Sequence, residues 1–343
     1  GTLPSNGRVF LINPNGIVFG GTAVVDVAGL VASSLNISDA DFTNGILRFQ
    51  DGLGAGAVVN NGNISTANHT GGQVYLIGPA VTNGGVITSP QGEVVLAAGN
   101  SVEITSAGTP GLSALVEAPA NQAVNMGQVF AESGRVGIFA GVVNQGGTVN
   151  AGTAVVGADG SIRLVATDSA TFSAGSNTFA TGALDVQAGN LTVNSGVFTG
   201  PQTIDVSGAL TVQPGAGGAA LLIANGDQTI NAASILIAGG ASGTGRGAQI
   251  GANSGAQSIT AGSVTLVGGS GGTNNGAVLR AGAGLQTIDA DQVGQIVSGG
   301  IFLGTQIGEG AGLAMCAAGD LDGDASSGSP ASTGGAAEAD GES

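Results

Sequence analysis

Carboxylates are the side chains of this sequence that could do acid–base chemistry, and they are thinly spread. The candidates Glu93, Glu103, Glu117 and Glu132 lie in four separate segments. Cleavage of a polysaccharide by hydrolysis needs two carboxylates across a cleft, one of them with a raised pKa. The six basic residues are all Arg, and neither Arg nor His clusters with these acids. We therefore predict no catalytic residues and no enzyme, and keep a polysaccharide-degrading enzyme as an alternative.

Metal and nucleophile chemistry has few candidates. His69 is the only histidine and lies in a polar turn, so neither a metal site nor a catalytic triad has identifiable partners. Cys316 is the only cysteine, which excludes an internal disulfide framework. We predict that His69 is a surface turn residue and that Cys316 is a small residue at the end of the core.

Three aspartates near the C-terminus alternate like the beginning of a calcium-binding loop. Such a loop also needs Gly at its sixth position and Glu at its twelfth. Those two positions hold Ala325 and Ala331. We therefore predict no metal site and no cofactor. The three aspartates are Asp320, Asp322 and Asp324.

The composition indicates which kind of fold must position these residues. Glycine accounts for 67 of 343 residues, aromatic residues for 3% and charged residues for 8%, yet 42% are hydrophobic. A disordered chain would be rich in charged residues and poor in β-branched residues, whereas this chain has the opposite composition. Small residues, short β-branched runs and frequent turns are typical of a repetitive all-β solenoid.

The net charge of −16 excludes several classes of function. Binding of nucleic acid needs a basic surface, and an anionic membrane would repel this chain. No run of apolar residues reaches the roughly 18 that a transmembrane helix requires. We therefore predict neither nucleic-acid binding nor membrane insertion.

Residues 58–165 carry a two-part repeat with a period of roughly 20 residues plus insertions, which is typical of a solenoid. One half combines apolar residues with Asn and Gly, and the other combines Gly, a polar residue and an apolar strand. Stacked coils would share one core, with strands about 4.7–4.8 Å apart. The first half recurs from Val58, Ala80, Ala123 and Val142, and the second from Gly71, Gln91, Ser133 and Asp159.

A second repeat occupies residues 200–293 and contains the triplet Gln-Thr/Ser-Ile. Apolar residues alternate within each unit, as a half-buried strand requires. If the register is simple, the four glutamines stack in one ladder in which each side-chain amide bonds the next. A flat polar ligand-binding face is the alternative. The glutamines are Gln202, Gln228, Gln257 and Gln286, separated by 26, 29 and 29 residues.

Together these patterns predict an all-β fold, a right-handed parallel β-helix. Residues 39–56 interrupt the pattern and predict a short hairpin or an excursion from the main body, in which Arg48 pairs with a nearby Asp. The last strand candidates are residues 295–303 and 311–315. Residues 317–343 contain Gly, Ser, Ala, Asp and Glu without a strand pattern, which predicts a disordered acidic tail.

The segment Arg8–Gly20, RVFLINPNGIVFG, predicts a strand, a tight turn and a second strand. The turn is Asn13-Pro14-Asn15-Gly16. Proline presets φ at the first central turn position, and Asn and Gly tolerate positive φ. By itself this segment predicts a well-formed turn and nothing more.

RVFLINPNGIVFG, followed by VAGLVASS at residues 27–34, closely resembles the secretion domain of the filamentous haemagglutinin family. These proteins are the exoproteins of bacterial two-partner secretion, and the Asn-Pro-Asn-Gly turn is a signature of the family. The specific match covers roughly residues 1–35, and a general likeness extends to about residue 170. In the family the motif follows further strands, so we expect an upstream part with a signal peptide to precede it.

The resemblance implies a division of the chain and a function. Residues 1–170 would be the C-terminal part of the secretion domain, residues 171–316 further β-helix repeats, and residues 317–343 the tail. The protein would be an adhesin-like or haemagglutinin-like exoprotein, secreted or on the surface of a Gram-negative bacterium. Asn13, Pro14, Asn15 and Gly16 would form the secretion motif.

The resemblance also implies partners, namely a cognate outer-membrane transporter and a host-cell receptor or glycan. A passive stalk of a longer toxin or matrix protein is an alternative interpretation. The polysaccharide-degrading enzyme named above is another.

Overall fold

The computed structural model describes most of the chain, in stretches separated by short gaps. The predicted disordered tail at residues 317–343 lies outside the described residues, as do Cys316 and the three C-terminal aspartates. The described stretches are 1–51, 54–69, 71–105, 114–117, 122–151, 160–216, 218–269, 271, 273–296, 301–303 and 312–314.

The N-terminal half of the described chain contains strands of 2 to 11 residues and one helix, α1 (Asp39–Thr43). The strands are β1 (Thr2–Ile12), β2 (Ile17–Phe19), β3 (Val24–Ser33), β4 (Asn36–Ile37), β5 (Arg48–Gln50), β6 (Val58–Asn60), β7 (Asn63–Ser65), β8 (Gln73–Gly78), β9 (Ala80–Asn83), β10 (Val86–Thr88), β11 (Glu93–Ala98), β12 (Ser101–Ile104), β13 (Ala114–Glu117), β14 (Gln122–Asn125), β15 (Gln128–Phe130), β16 (Arg135–Gln145) and β17 (Thr148–Asn150).

The C-terminal half alternates long and short strands. The predicted strand at residues 295–303 corresponds to the end of one strand and the whole of another, with residues 297–300 outside the description. These strands are β18 (Ser161–Phe172), β19 (Asn177–Phe179), β20 (Leu184–Val193), β21 (Gly196–Thr199), β22 (Gln202–Val212), β23 (Ala220–Ala224), β24 (Gln228–Ala238), β25 (Ala248–Ala252), β26 (Gln257–Val267), β27 (Ala277–Ala281), β28 (Gln286–Ile296), β29 (Ile301–Leu303) and β30 (Gly312–Ala314).

Strands of successive coils pair in parallel, so the chain forms a parallel β-helix, as the repeats predict. On one face β1 pairs with β3, β3 with β8, β8 with β11 and β11 with β16. The same face continues through β18, β20, β22, β24, β26 and β28. The predicted domain boundary at residue 170 lies within β18, and the pairing runs through it.

The interior of the solenoid is filled by one side-chain column per inward-facing strand position. A column here means the residues that face each other in register on consecutive coils. One such column runs through Val9, Leu30, Val74, Val94 and Val136. It belongs to a single apolar cluster that extends from Phe19 to Val293. Burial of alternate residues explains why each strand shows the two-residue period of a half-buried strand.

The segment predicted as a hairpin or excursion lies outside the solenoid and is larger than the sequence indicated. It contains α1, whose N-cap Ser38 accepts a hydrogen bond from the Asp41 amide. It also supplies β4 and β5 to a four-stranded antiparallel sheet, and the other two strands, β12 and β13, come from a second excursion. The predicted all-β parallel β-helix is therefore confirmed, and the described residues add one helix of five residues in the excursion.

The antiparallel sheet covers apolar side chains that point outward from the solenoid. Tyr75, Val95 and Phe139 on β8, β11 and β16 form a second buried cluster with Phe49 and Val102 of the sheet. On later coils of this same face, outward positions such as Thr203 and Thr229 are polar and exposed. The cover is therefore present where the outer face is apolar.

Candidate functional site

The turn Asn13-Pro14-Asn15-Gly16 of the first coil, called the corner turn below, is stabilised by the side chain of its first residue. The Gly16 amide donates to the Asn13 carbonyl at 3.0 Å, which closes the turn. The Asn15 amide donates to the Asn13 side-chain oxygen Oδ1 at 3.1 Å. Such side chain-to-backbone bonds are the reason why Asn initiates turns. Asn13 therefore has a structural task inside the motif.

The turn is also bonded to the second coil. The Asn13 amide donates to the Ser33 carbonyl at 3.0 Å, and the Gly56 amide donates to the Pro14 carbonyl at 2.8 Å. The Ile17 amide donates to the Ala57 carbonyl at 3.0 Å. The backbone of the motif is thus engaged, while the side chains of Asn13, Pro14 and Asn15 are exposed.

Positive φ occurs in this turn at Gly16, where φ is 100°, and not at Asn15. The reason is the turn type: Asn first, Pro second and Gly fourth are the residues that a type I turn favours. Asn15 consequently has ordinary backbone geometry, and its exposed side-chain amide is not needed to maintain the turn.

The four predicted ladder glutamines lie in one interior column. Gln228 Nε2 donates to Gln202 Oε1 at 2.7 Å, and Gln257 Nε2 donates to Gln228 Oε1 at 2.6 Å. Gln286 Nε2 donates to Gln257 Oε1 at 2.6 Å. All four are buried, and Gln202 Nε2 begins the chain of bonds by donating to Thr199 Oγ1 at 3.0 Å. These amides face the core and leave no flat polar face for a ligand.

A second amide ladder, which the sequence interpretation missed, lies in the first half. Asn60, Asn83, Asn125 and Gln145 bond side chain to side chain, each at 2.8 Å, and all are buried. The available signal was the Asn in the first half of the early repeat.

The acidic candidates do not converge. Glu93 is buried and accepts from the Tyr75 hydroxyl at 2.5 Å, from Gln73 Nε2 at 3.3 Å and from Arg135. Glu103 lies in the outer sheet and pairs with Arg48 at 2.9 Å. Glu132 is exposed, and the side chain of Glu117 lies outside the description.

The Glu93 cluster strongly perturbs Tyr75. Burial is the main cause that raises the pKa of Tyr75, and the charge and hydrogen bond of Glu93 add to it. Arg8 and Arg135 act in the opposite direction. A phenol with a raised pKa holds its proton and serves here as a hydrogen-bond donor.

Arg48 pairs with Asp41, as expected, but its closer partner is Glu103. His69 is half-exposed, and its amide donates to the Thr66 carbonyl in a turn. In the described parts of the chain, no three His, Cys, Asp or Glu side chains gather as a metal site would need. Those same parts also contain no helix with the length and apolarity needed to span a membrane.

Comparison with known proteins finds a matching family model and matching chains among solved structures. Residues 1–141 match the family model described as the TPS secretion domain. The crystal structure of the HMW1 secretion domain from Haemophilus influenzae is similar over 83% of this chain and 82% of that chain, with a TM-score of 0.57 and 24% identity. No curated protein sequence matches the chain.

Proposed function

We propose, from the premise that residues 1–141 are a TPS secretion domain, that this chain is the exoprotein of a two-partner secretion system. The match of those residues to the family model is the observation that carries the proposal. The parallel β-helix supports it, because the similar HMW1 secretion domain has the same fold over most of its length. The implied partner is an outer-membrane transporter of a Gram-negative bacterium.

The corner turn is the part of the domain that we propose the transporter recognises. Its backbone is occupied by bonds to the second coil, so the exposed side chains of Pro14 and Asn15 are what a partner can contact. Asn13 holds the shape of the turn through its side-chain oxygen. In this proposal Asn13 positions the contact and Asn15 makes it.

Export is proposed to proceed by stacking of coils outside the cell. A solenoid is stabilised mainly by interfaces between neighbouring repeats, so each coil that emerges can dock on the coil before it. The two amide ladders support this order, since within each ladder every side-chain amide bonds the next one along the solenoid. Each added rung would oppose sliding of the chain back through the pore.

The experiment compares three substitutions in the full-length protein, co-expressed with its transporter. Asn13→Ala removes the oxygen that accepts the Asn15 amide, whereas Asn13→Asp keeps an acceptor. Asn15→Ala removes an exposed amide and no bond of the turn. Asn36→Ala, an exposed Asn on β4, is the matched control. The measurement is the amount of protein in the medium relative to the periplasm.

We expect Asn13→Ala and Asn15→Ala to reduce secretion while Asn36→Ala leaves it unchanged. Asn13→Asp should be secreted better than Asn13→Ala, because the shape of the turn is kept. Undiminished secretion of both alanine variants would contradict recognition of the turn. The motif would then be a structural corner of the first coil.

After export, the proposed role is that of an adhesin-like or haemagglutinin-like protein at the bacterial surface. The long solenoid supports this role because it presents an extended surface to the outside. Binding of the purified chain to erythrocytes or epithelial cells tests it. This experiment also distinguishes the adhesin from the alternative of a passive stalk, because a stalk would bind neither cell type.

A further inference from the structure

Three phenylalanines form an outward-facing column on one face of the solenoid. Phe130, Asn150, Phe179 and Phe198 occupy the same position on the consecutive strands β15, β17, β19 and β21. Phe179 is 40% exposed, and the other two rings are half-buried. The whole chain has ten Phe, one Tyr and no Trp. Three of the ten Phe therefore lie in this column, and Phe42 of α1, which is 52% exposed, lies outside it.

A polar column lies beside the aromatic column. Gln128, Thr148 and Asn177 stand two positions before Phe130, Asn150 and Phe179 on the same strands, so they face the same side. The two columns are about 6.6–6.8 Å apart, and successive rungs are about 4.7–4.9 Å apart. Gln128 and Asn177 are exposed, and Thr148 is half-exposed.

Gly196 continues the polar column and makes room for a ring. A Cβ atom at Gly196 would lie 2.8 Å from Cε2 of Phe198. The ring of Phe198 therefore lies across the neighbouring position. Phe198 is half-buried, so part of this ring remains accessible to a ligand.

A groove adjoins the polar column on the side away from the rings. It has a volume of about 720 Å³ and runs along the solenoid axis past Gln128 and Thr148. Its floor is a column of glycines packed backbone to backbone. A Cβ atom at Gly85, Gly127 or Gly147 would lie 2.1, 2.0 or 2.1 Å from the carbonyl oxygen of the rung before it. The floor must therefore remain free of side chains.

The charge of the molecule restricts what this surface can bind. The protein carries a net charge of −16, so an anionic ligand would be repelled. None of the residues in the aromatic and polar columns is charged, so nothing in them attracts a cationic ligand. An uncharged ligand with apolar faces and many hydroxyl groups fits this chemistry. Sugar rings have both properties, because their C–H faces stack on aromatic rings and their hydroxyls bond amides.

We propose that this surface binds a linear, uncharged polysaccharide lying along the solenoid axis. The surface consists of the aromatic column, the polar column and the glycine-floored groove. Both the polysaccharide and the surface are linear repeats, so each added rung can contact another part of the sugar chain. The inference rests on the proposed surface role of the exported protein, and it specifies the partner as a neutral glycan.

The test uses the purified full chain and sugars of defined structure. Binding of cellohexaose, xylohexaose and mannohexaose is measured by calorimetry and by saturation-transfer NMR, with a heparin hexasaccharide as the charged comparison. Phe179→Ala removes the most exposed ring of the aromatic column, and Asn177→Ala removes its polar neighbour. Thr229→Ala, an exposed residue on another face, is the matched control. Circular dichroism checks that every variant keeps the wild-type fold.

We expect at least one neutral hexasaccharide to bind, and Phe179→Ala to weaken its binding roughly tenfold. Asn177→Ala should also weaken it, and Thr229→Ala should not. The proposal is overturned if only the heparin hexasaccharide binds, if no neutral sugar binds, or if Phe179→Ala behaves like Thr229→Ala. Self-association that Phe179→Ala abolishes, in the absence of sugar binding, would make the surface an interface between copies and would also overturn it.

Failure of this inference can be told apart from failure of the proposed function. Phe179→Ala should be secreted like the unsubstituted protein, because it lies far along the chain from the corner turn. Asn15→Ala, purified and refolded, should bind the sugar normally even where its secretion is lost. A protein that is secreted but binds no neutral sugar would remove the glycan site alone.

Discussion

Gln202 follows Leu184 directly in one interior column, and at this step the column changes from apolar to polar. On earlier coils the column is Val, Leu or Ile, and on later coils it is the glutamine ladder. A second column changes in the opposite sense. It carries the asparagine ladder and then passes from Gln145 to Phe172. The buried amides thus lie in one interior column in the first part of the solenoid and in a different column in the second part.

The glutamine ladder should respond differently to substitution in its middle and at its end. Gln228→Leu leaves the Gln202 oxygen without its donor and the Gln257 amide without its acceptor. Each buried unpaired group costs about 1–3 kcal/mol, so we expect the free energy of unfolding to fall by about 2–5 kcal/mol. Chemical denaturation followed by circular dichroism measures this.

Two comparisons make that result specific. Gln286→Leu breaks one bond of the ladder, because Gln286 Oε1 has no partner among the described residues. It should therefore cost about half as much. Thr229→Ala changes an exposed side chain next to Gln228 and should be close to neutral. Equal effects of all three substitutions would show that the ladder adds nothing to stability.

The asparagine ladder predicts a pH-dependent variant. Asn83 accepts from Asn60 and donates to Asn125 Oδ1, so Asn83→Asp places a carboxylate against an acceptor. Burial and this contact should raise the pKa of the new carboxyl in the folded state. The variant should be most stable below the unfolded pKa of about 3.9 and lose stability as the pH rises through the folded value. Denaturation at several pH values tests this, with Asn63→Asp on the surface as the control.

The two ladders differ in how well the sequence predicts them. The glutamines recur in a constant triplet at separations of 26, 29 and 29 residues, so their alignment is visible. The members of the other ladder are separated by 23, 42 and 20 residues, and the last is Gln145 in place of Asn. The wide separation spans the excursion that contains β12 and β13. An insertion of this kind hides a ladder from any search for a fixed period.

The outer sheet could be predicted only in part. Its strands come from residues 36–50 and 101–117, and such long-range antiparallel pairing leaves no local pattern. The solenoid strands that the sheet covers did carry a sequence signal for such a cover. Tyr75 to Ile77 on β8 and Val94 to Ala98 on β11 are continuous apolar runs, and strands buried on both faces show such runs in place of alternation.

Tyr75 should titrate abnormally, and it is the only tyrosine in a chain without tryptophan. Its pKa is raised above the ordinary value of 10.0, first by burial and then by Glu93. Above about pH 10 the unfolded chain releases this proton while the folded chain keeps it, so stability should fall as the pH rises. Tyrosinate absorbance should therefore develop together with unfolding.

Tyr75→Phe provides the comparison for this titration. It removes the phenol, so the stability lost between about pH 10 and pH 11 should be smaller than in the unsubstituted protein. Its stability at pH 7 should also be lower, because Glu93 loses a buried donor. Tyrosinate absorbance near pH 10 in a protein that is still folded would contradict the buried geometry of Tyr75.

The contact between the corner turn and the second coil should depend on Gly56. A Cβ atom at Gly56 would lie 2.4 Å from the Asn15 carbonyl oxygen, so Gly56→Ala forces two backbones apart. We expect a loss of about 1–3 kcal/mol and faster hydrogen exchange at the amides of Gly56 and Ile17, which bond across this contact. Gly20→Ala is the control, since nothing lies within 4 Å of its added Cβ. If the transporter recognises the assembled corner, Gly56→Ala should also lower secretion and Gly20→Ala should not; equal secretion of the two would place recognition in the exposed side chains alone.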